Sequence, residues 1–445
     1  MILIFAPKIT NRVGYTFNLI FDRILNCNFK LTDDRELFAN HPGAKICYNG
    51  DRLCDDCIFI KSSPLLFQYN IENVEPECFE FDDGTFSEFT HSNRLKAIFP
   101  VHDSESDLEF DIFAASFYLT SRYEEYPVSS HGTGECFEYK KSIACRNGFL
   151  EYPVINMWCE ILKSLISGKF PEFEWHRKKF EHIATINIST PFKYKEIGHV
   201  RTIAGMLRDI REHKSLLPRL RTIFGKQTDP YDNYDEILSI SRKYNCKTLF
   251  FSATGNISDY DKPIAYTRSR FRLLLRHLTD YGKVGNLFSY DSHDSPDTLS
   301  METERLSGIL HKPIVRSRFS HLHYRLPVAY QNLVNFSIED DFSMGYEDCP
   351  GFRAGICTPF HFFDLEKNTE TDLEIHPVAY SSRFGTGNPE NRMKIINYMI
   401  DIIFRTGGTF YSSWDIENFA NDETGNPGLE TYREILKHIT EFHNK

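Results

Sequence analysis

From about residue 180 to its end, the chain alternates between segments with the pattern of buried strands and segments with the pattern of helices. The predicted strands are residues 182–188, 247–253, 284–290, 313–318, 337–341, 354–357 and 409–413, and the predicted helices are residues 232–244, 268–281, 298–310, 391–405 and 429–444. Repeated strand and helix units with short connections imply right-handed crossovers and a parallel sheet. With about seven such units, we expect closure into a barrel rather than an open sheet.

The preceding residues carry a second, smaller α/β pattern. Strands are predicted at residues 2–6, 44–48 and 57–61, and helices at residues 11–25, 110–126 and 153–166. A chain of 445 residues is long enough for more than one core. We therefore predict an N-terminal α/β domain (1–95), a helical connecting region packed between domains (96–179) and the barrel (180–445). The connecting helix should face the barrel with an apolar stripe of Phe113, Phe117 and Leu119.

The charge balance excludes some classes of partner. The chain has 51 basic and 62 acidic residues, a formal net charge of −11. This balance argues against a general affinity for nucleic acid or for an anionic membrane, because phosphate selects for basic surfaces. The basic residues between 213 and 226 are interpreted as a solvated helix face. No stretch is long and apolar enough for a membrane span, and residues 1–7 are interpreted as the first strand of a cytoplasmic protein rather than a signal segment.

The cysteines indicate reduced thiols. They are eleven in number and scattered, which fits a disulfide framework poorly. Cys54 and Cys57 are the only close pair, and the two aspartates between them oppose the thiolate that metal or redox chemistry needs. The sequence predicts no cofactor, and it contains no P-loop, dinucleotide fingerprint or nucleophile elbow.

Several collinear motifs resemble a known family. They are residues 111–117 (Asp-Ile-Phe-Ala-Ala-Ser-Phe), 121–126 (Ser-Arg-Tyr-Glu-Glu-Tyr), 341–346 (Asp-Phe-Ser-Met-Gly-Tyr), 351–355 (Gly-Phe-Arg-Ala-Gly) and 407–410 (Gly-Gly-Thr-Phe). In this order they resemble Bacteroidetes proteins of the polysaccharide deacetylase family, which join an N-terminal domain of unknown function to a NodB-like barrel. The resemblance implies a small N-terminal α/β domain followed by a distorted (β/α) barrel.

The family's chemistry depends on residues that this chain lacks. The resemblance implies a divalent metal held by one aspartate and two histidines, a second aspartate as general base and a C-terminal histidine as general acid. At those positions this chain has Ile186, Asn187, Ser189, Leu287 and Asp415. Because neither the metal ligands nor the acid and base remain, the resemblance implies a catalytically degenerate homologue, and we predict no metal site.

A relocated metal site is the alternative that the residues leave open. His321 and His323 would face the same side if their segment were extended. His293, His361, His376 and Asp415 are further ligand types elsewhere in the chain. Seventeen histidines make a chance His-x-His unsurprising.

Three functions follow from these predictions. The barrel mouth binds a saccharide or a partner protein without hydrolysing it, or the chain is an active hydrolase with a rearranged site, or it is a structural protein. The candidate ligand-binding residues are Lys193, Tyr194, Tyr290, Arg318, Asp341, Arg353 and Trp414. A cleft that also includes Tyr346 and Phe352 would favour the first function, because sugar rings stack on aromatic faces, and a mouth filled by the protein's own side chains would favour the third. Arg353 is predicted either to bind ligand or to pair with Asp341 or Asp340.

Overall fold

The structure of the chain is a computed structural model. It describes residues 1–82, 84–86, 90, 93–126, 136–176, 179–384, 389–421 and 425–443. No helix within these ranges is both long and apolar enough to cross a lipid bilayer.

The N-terminal residues form a four-stranded parallel sheet. Its elements are β1 (Ile2–Phe5), α1 (Asn11–Phe17), β2 (Phe29–Thr32), α2 (Arg35–Ala39), β3 (Lys45–Asn49) and β4 (Ile58–Lys61). The strand order is β2-β1-β3-β4. α1 begins where the Thr10 side chain accepts a hydrogen bond from the Val13 amide, and it continues as a π-helix over Asn18–Ile24. The strands and the helix predicted in this region are confirmed.

A small hairpin and three helices connect this sheet to the barrel. They are β5 (Cys78–Phe81), β6 (Leu95–Ile98), α3 (Ile112–Thr120), α4 (Ile143–Arg146) and α5 (Val154–Lys169). α3 begins at Asp111, whose carboxylate accepts hydrogen bonds from two amides of the first turn. It ends at Thr120, earlier than predicted, because Arg122 takes a left-handed conformation with φ 53°. Every residue of α3 is buried, so the predicted apolar stripe is instead a helix that is packed on all sides.

The remaining elements build the second sheet. They are β7 (Phe180–Ile188), α6 (His199–Arg211), α7 (Leu217–Ile223), α8 (Tyr234–Lys243), β8 (Lys247–Ser252), α9 (Ser269–Leu278), β9 (Lys283–Phe288), α10 (Pro296–Leu310), β10 (Arg316–Phe319), α11 (Val328–Asn335), β11 (Asp340–Asp341), β12 (Phe360–Asp364), β13 (Thr369–Ile375), β14 (Val378–Ser381), α12 (Pro389–Thr406), β15 (Gly408–Asp415) and α13 (Pro427–His443).

The second sheet is a curled, mostly parallel sheet of nine strands. Its order is β12-β13-β11-β10-β9-β8-β7-β15-β14, and only the β12–β13 pair is antiparallel. Within the described residues no strand pairing joins β12 to β14, so the barrel is incomplete. The predicted fold class, mixed α/β with a distorted (β/α) barrel, is confirmed.

One predicted strand is wrong. Residues 354–357 form a turn, in which the Gly355 amide donates to the Phe352 carbonyl at 2.9 Å. Gly355 has φ +66°, and a Cβ there would lie 2.8 Å from Leu119, so both the backbone conformation and the close approach to α3 require glycine. The strand of this region is β12, which begins three residues later. α6, α11 and the strands β12 to β14 were not predicted, whereas α7 lies within the residues 213–226 that were interpreted as a solvated helix face.

The main hydrophobic core is shared between the two sheets. Phe113 and Phe117 of α3 belong to the same buried cluster as Phe319, Phe363 and Leu373 of the second sheet. A second cluster lies beneath the outer helices of the barrel. The boundaries 1–95, 96–179 and 180–445 stay a prediction, and the shared core means that the units they define pack against one another extensively.

Candidate functional site

The carboxyl-terminal ends of the parallel strands carry a cluster of charged and polar side chains. Asn187 of β7 and Asp415 of β15 are register partners. Arg383 follows β14 by two residues, and Glu347 follows the end of β11. Reactive side chains of (β/α) barrels gather at this edge. We call six of these residues the strand-end cluster: Asn187, His321, Glu347, Arg383, Asp415 and Glu417.

Arg383 is the centre of this cluster. Its Nε donates to Asp415, and its Nη1 pairs with Glu347 Oε1 at 2.9 Å. The same Nη1 lies 2.6 Å from His321 Nδ1. Burial lowers the pKa of Arg383, but the carboxylates of Asp415 and Glu347 outweigh burial and raise the pKa above its ordinary value. Two of the carboxylates at the mouth are therefore paired with one guanidinium of the same chain.

Asn187 and Glu417 provide the remaining polar groups. Asn187 Nδ2 donates to Asp415 Oδ1 at 2.9 Å and to Ser413 Oγ at 3.1 Å. Ser189 Oγ donates to Glu417 Oε1 at 2.8 Å. Burial, followed by repulsion from Asp415, raises the pKa of Glu417 to about 7. Asn187 Oδ1 and Glu417 Oε2 accept no hydrogen bond from the described residues.

Below the cluster the interior of the barrel is filled with apolar side chains. Leu287 is buried in a small cluster with Phe251, Phe342 and Tyr411. Ile186, the other apolar replacement, is fully buried in the core beneath the outer helices. The apolar side chains of Ile186 and Leu287 thus stand where the resemblance implies histidines. The amide of Asn187 stands where it implies an aspartate. The residues present do not fit the metal of that family, because the positions of its ligands hold no carboxylate or imidazole, and Asp415, at the position of the general acid, is paired with Arg383.

An aromatic cavity of about 540 Å³ opens beside the strand-end cluster. Tyr290 stacks on Tyr260 on one side, at 3.9 Å and 17°, and on His323 on the other, at 3.7 Å and 10°. Tyr346 and Tyr139 line the same cavity, and their ring centroids are 5.9 Å apart. Glu347 and His321 connect the aromatic cavity to the strand-end cluster.

The predicted ion pair of Arg353 with Asp341 or Asp340 is wrong. Arg353 also lines the aromatic cavity, and its guanidinium pairs with Glu125 through two hydrogen bonds of 2.6 and 2.9 Å. Asp341 instead accepts hydrogen bonds from the Ser317 hydroxyl and from the hydroxyl and amide of Ser343. Glu125 comes close to Arg353 because the left-handed turn at Arg122 directs residues 123–125 into the shared core.

His321 and His323 do not lie on the extended segment that the relocated metal site assumed. Their segment is a tight turn rather than an extended strand, and His321 has φ 55°. His321 contacts Arg383 and lies 3.3 Å from Glu347, whereas His323 stacks on Tyr290. Both rings contact Tyr290 and line the aromatic cavity, but the extended segment assumed for a relocated metal site is wrong.

The other candidate residues lie in three different places. Arg318 is buried beneath the cluster, donates to the Phe342 carbonyl at 2.5 Å, and has its pKa lowered by burial to about 10. Lys193 and Tyr194 line a separate groove next to α6, in which their amides bind the Asp229 carboxylate. Trp414 is buried against the outer helices, as is Phe352. The structure thus brings Tyr290, Tyr346 and Arg353 together at the aromatic cavity.

Three side chains of the kinds that bind metals lie beside the amino-terminal ends of β10 and β11. Ligand atoms of Asp340, Glu374 and His376 lie within 4.8 Å of one another, the one such group in the described ranges. Arg316 pairs with Asp340 at 3.1 Å, and Arg23 pairs with Glu374 at 2.6 Å. Since both carboxylates are paired with arginines, the group is an ion-pair network that links the N-terminal residues to the barrel.

Sequence reasoning missed three central residues of the site. Arg383 follows β14, a strand that was not predicted. Glu347 comes directly after the motif at residues 341–346, and Glu125 lies inside the motif at residues 121–126. Position after a barrel strand was a signal for Glu347, which follows the predicted strand 337–341, but not for Arg383, whose strand was not predicted, or for Glu125, which follows a helix.

Comparisons with known proteins add one family and two structures. A family of unknown function (DUF7033) matches residues 2–171, which is less than half of the chain. No curated protein matches. A protein described as a polysaccharide deacetylase from Mycobacterium smegmatis aligns with a TM-score of 0.38 and 13% identity, over 60% of this chain and 86% of that one. Puue allantoinase aligns with a TM-score of 0.37 and 9% identity, over 59% and 85%. At these scores the alignments carry no argument about activity or site residues.

Proposed function

We propose that this chain binds a saccharide in the aromatic cavity without hydrolysing it, as a catalytically degenerate homologue of carbohydrate deacetylases in a surface-polysaccharide pathway. The observation that carries this proposal is the stack of Tyr260, Tyr290 and His323 beside Glu347 and Arg353. Aromatic faces bind the apolar faces of sugar rings, and a few charged groups fix the orientation of the hydroxyls.

The size and composition of the aromatic cavity support a small ligand. Its volume of about 540 Å³ lies within the range of small-molecule sites. Burial raises the pKa of Glu347, but His321 and Arg383 outweigh burial and lower this pKa below its ordinary value. The carboxylate is therefore ionised at neutral pH and can accept hydrogen bonds from hydroxyl groups. The apolar packing around Leu287 fills the barrel interior but leaves this cavity open, which favours binding over a purely structural role.

Replacing Tyr290 with alanine should weaken saccharide binding about tenfold, because the ring between Tyr260 and His323 is lost. The measurement is calorimetric titration with a panel of short neutral and N-acetylated oligosaccharides. Tyr69→Ala is the control, since Tyr69 is 69% exposed and does not line the cavity. Equal affinity of Tyr290→Ala and the natural protein for every oligosaccharide bound would contradict the proposal, as would the absence of binding to the whole panel.

An active hydrolase with a rearranged site is the second candidate. Its support is Glu417, whose pKa is raised to about 7 by burial and by Asp415, a value suited to a general base. Against it stands the packing of the strand-end cluster, in which Asp415 and Glu347 are both paired with Arg383. Asn187 adds no base to this arrangement.

The natural protein should release no acetate from acetylated amino sugars or polysaccharides above a metal-only control. Asn187→Asp alone should also release none, because catalytic groups that act as a unit are strongly non-additive. Ser189→Asp, Leu287→His and Asp415→His would be needed together with it. Acetate is measured with and without a chelator, and chelator-sensitive turnover by the natural protein would favour the hydrolase instead.

A further inference from the structure

The helices α6 and α7 expose an apolar surface. On α6, Val200, Ile203, Leu207 and Ile210 follow the spacing of a single helix face. Leu217 and Phe224 are exposed apolar residues at the two ends of α7, and we name these six residues the apolar face; each is between 56% and 82% exposed. An apolar helix face normally packs on the core, so its exposure here indicates a surface that binds something.

The polar side of α6, rather than its apolar side, is fixed to the rest of the molecule. Gly205 lies against the Arg219 side chain, so closely that a Cβ would come within 2.6 Å of Nη1. Arg219 in turn pairs with Asp209 at 2.7 Å and stacks over Tyr194. Arg201 donates to the Pro263 carbonyl at 2.9 Å. These contacts hold the helix with the apolar face outward.

The same segment reverses the charge of the chain. Residues 199–226 contain seven basic and two acidic residues, a net charge of +5 in a chain of −11. The exposed basic side chains are Arg208, Arg211, Lys214, Arg221 and Lys226. Lys214 pairs with Glu212 at 2.7 Å, and both of these side chains are exposed. Basic residues therefore flank the apolar face.

We propose that the apolar face and its flanking arginines and lysines dock this protein on the surface of an anionic lipid bilayer. Helices with an apolar face and basic flanks lie in the interface plane, where the apolar side chains enter the acyl boundary and the cations bind anionic headgroups. The helices lie on this surface and do not span it. The net charge of −11 argues against a general affinity for anionic membranes, but screening limits its effect at this surface to the residues near it, so the basic segment can still dock.

Charge complementarity favours a bilayer over a second copy of the chain. A two-fold dimer through this surface would place the same basic segment of residues 199–226 on both partners, because a two-fold interface is self-complementary. The net charges of +5 would then repel each other. An anionic bilayer matches both the charge and the apolar side chains.

The test is co-sedimentation of the full chain with vesicles of three parts phosphatidylcholine to one part phosphatidylglycerol, and with vesicles of phosphatidylcholine alone. The natural protein should bind the anionic vesicles and bind the neutral ones at least tenfold more weakly. Arg208→Gln with Arg211→Gln should weaken binding by about fivefold for each arginine removed. Leu207→Ser with Phe224→Ser should weaken it by about tenfold or more.

Leu273→Ser is the matched control, because Leu273 is 64% exposed on α9, away from the apolar face. It should bind like the natural protein, and all variants should keep the same unfolding midpoint because they alter exposed side chains. Absence of binding to anionic vesicles, or equal binding by all variants, would overturn the proposal. A natural dimer that Leu207→Ser with Phe224→Ser converts to a monomer, without vesicle binding, would assign the apolar face to a second copy.

Discussion

Replacing Glu125 with alanine should lower the free energy of unfolding by about 3–5 kcal/mol, the cost of removing one partner from a buried ion pair. Glu125 is fully buried and pairs with Arg353 at 2.6 Å and with Arg122 at 2.8 Å. Without the carboxylate, Arg353 loses its ion pair with Glu125, whereas Arg122 keeps its ion pair with Glu124. The measurement is urea unfolding followed by circular dichroism.

The contribution of Glu125 to the free energy of unfolding should also depend on pH. Burial raises the pKa of Glu125, but Arg353 and Arg122 outweigh burial and lower it to about 2. A carboxyl with a lowered folded pKa stabilises fully above its unfolded pKa of about 4.3, and this stabilisation is lost as the pH falls towards the folded value. The control is Glu236→Ala, whose exposed pair with Arg433 should contribute less than about 1 kcal/mol. A similar loss of unfolding free energy in Glu125→Ala and Glu236→Ala would contradict the prediction.

Replacing Phe117 with alanine should lower the free energy of unfolding by about 3–5 kcal/mol, the usual cost of deleting a buried phenylalanine. Phe117 is fully buried in α3. Its ring lies 5.1 Å from Phe363 of the second sheet and 6.1 Å from Tyr15 of α1, the helix that follows the first strand. The cavity left by alanine would therefore open between the two sheets, and urea unfolding measures its cost.

Phe224→Ala is the control for this prediction. Phe224 is 73% exposed, so its removal should change the free energy of unfolding by less than about 0.5 kcal/mol. If Phe117→Ala unfolded at the same urea concentration as the natural protein, α3 would not be the contact that joins the two sheets.

The sequence predicted those elements of the fold whose pattern is local. β1, β7, β8 and α10 each carry a continuous apolar run or a regular helical spacing, and each lies within a few residues of its predicted range. Residues 354–357 were misassigned because a short apolar run does not reveal that Gly355 needs a positive φ. α6 was missed although its apolar residues Val200, Ile203, Leu207 and Ile210 have helical spacing, and the sequence does not show that they face solvent.

The candidate site was less predictable, because it depends on pairings across the chain. Tyr290 and Tyr346 were expected in a cleft, and they do line one cavity. Glu125 and Arg353 are separated by 228 residues, and no local pattern distinguishes this partner of Arg353 from Asp341. The sequence supplied the charged residues, but only the packed fold shows which of them meet.

The shared core also has a consequence for synthesis on the ribosome. Phe117 and Glu125 leave the ribosome long before their partners Phe363 and Arg353. At about 5–20 residues per second, more than two hundred intervening residues take roughly ten seconds or more to be added. During that interval the N-terminal sheet is exposed on the face that later packs on the barrel. We therefore expect the nascent chain to depend on a chaperone, or on slowed translation, until β12 and β13 have emerged.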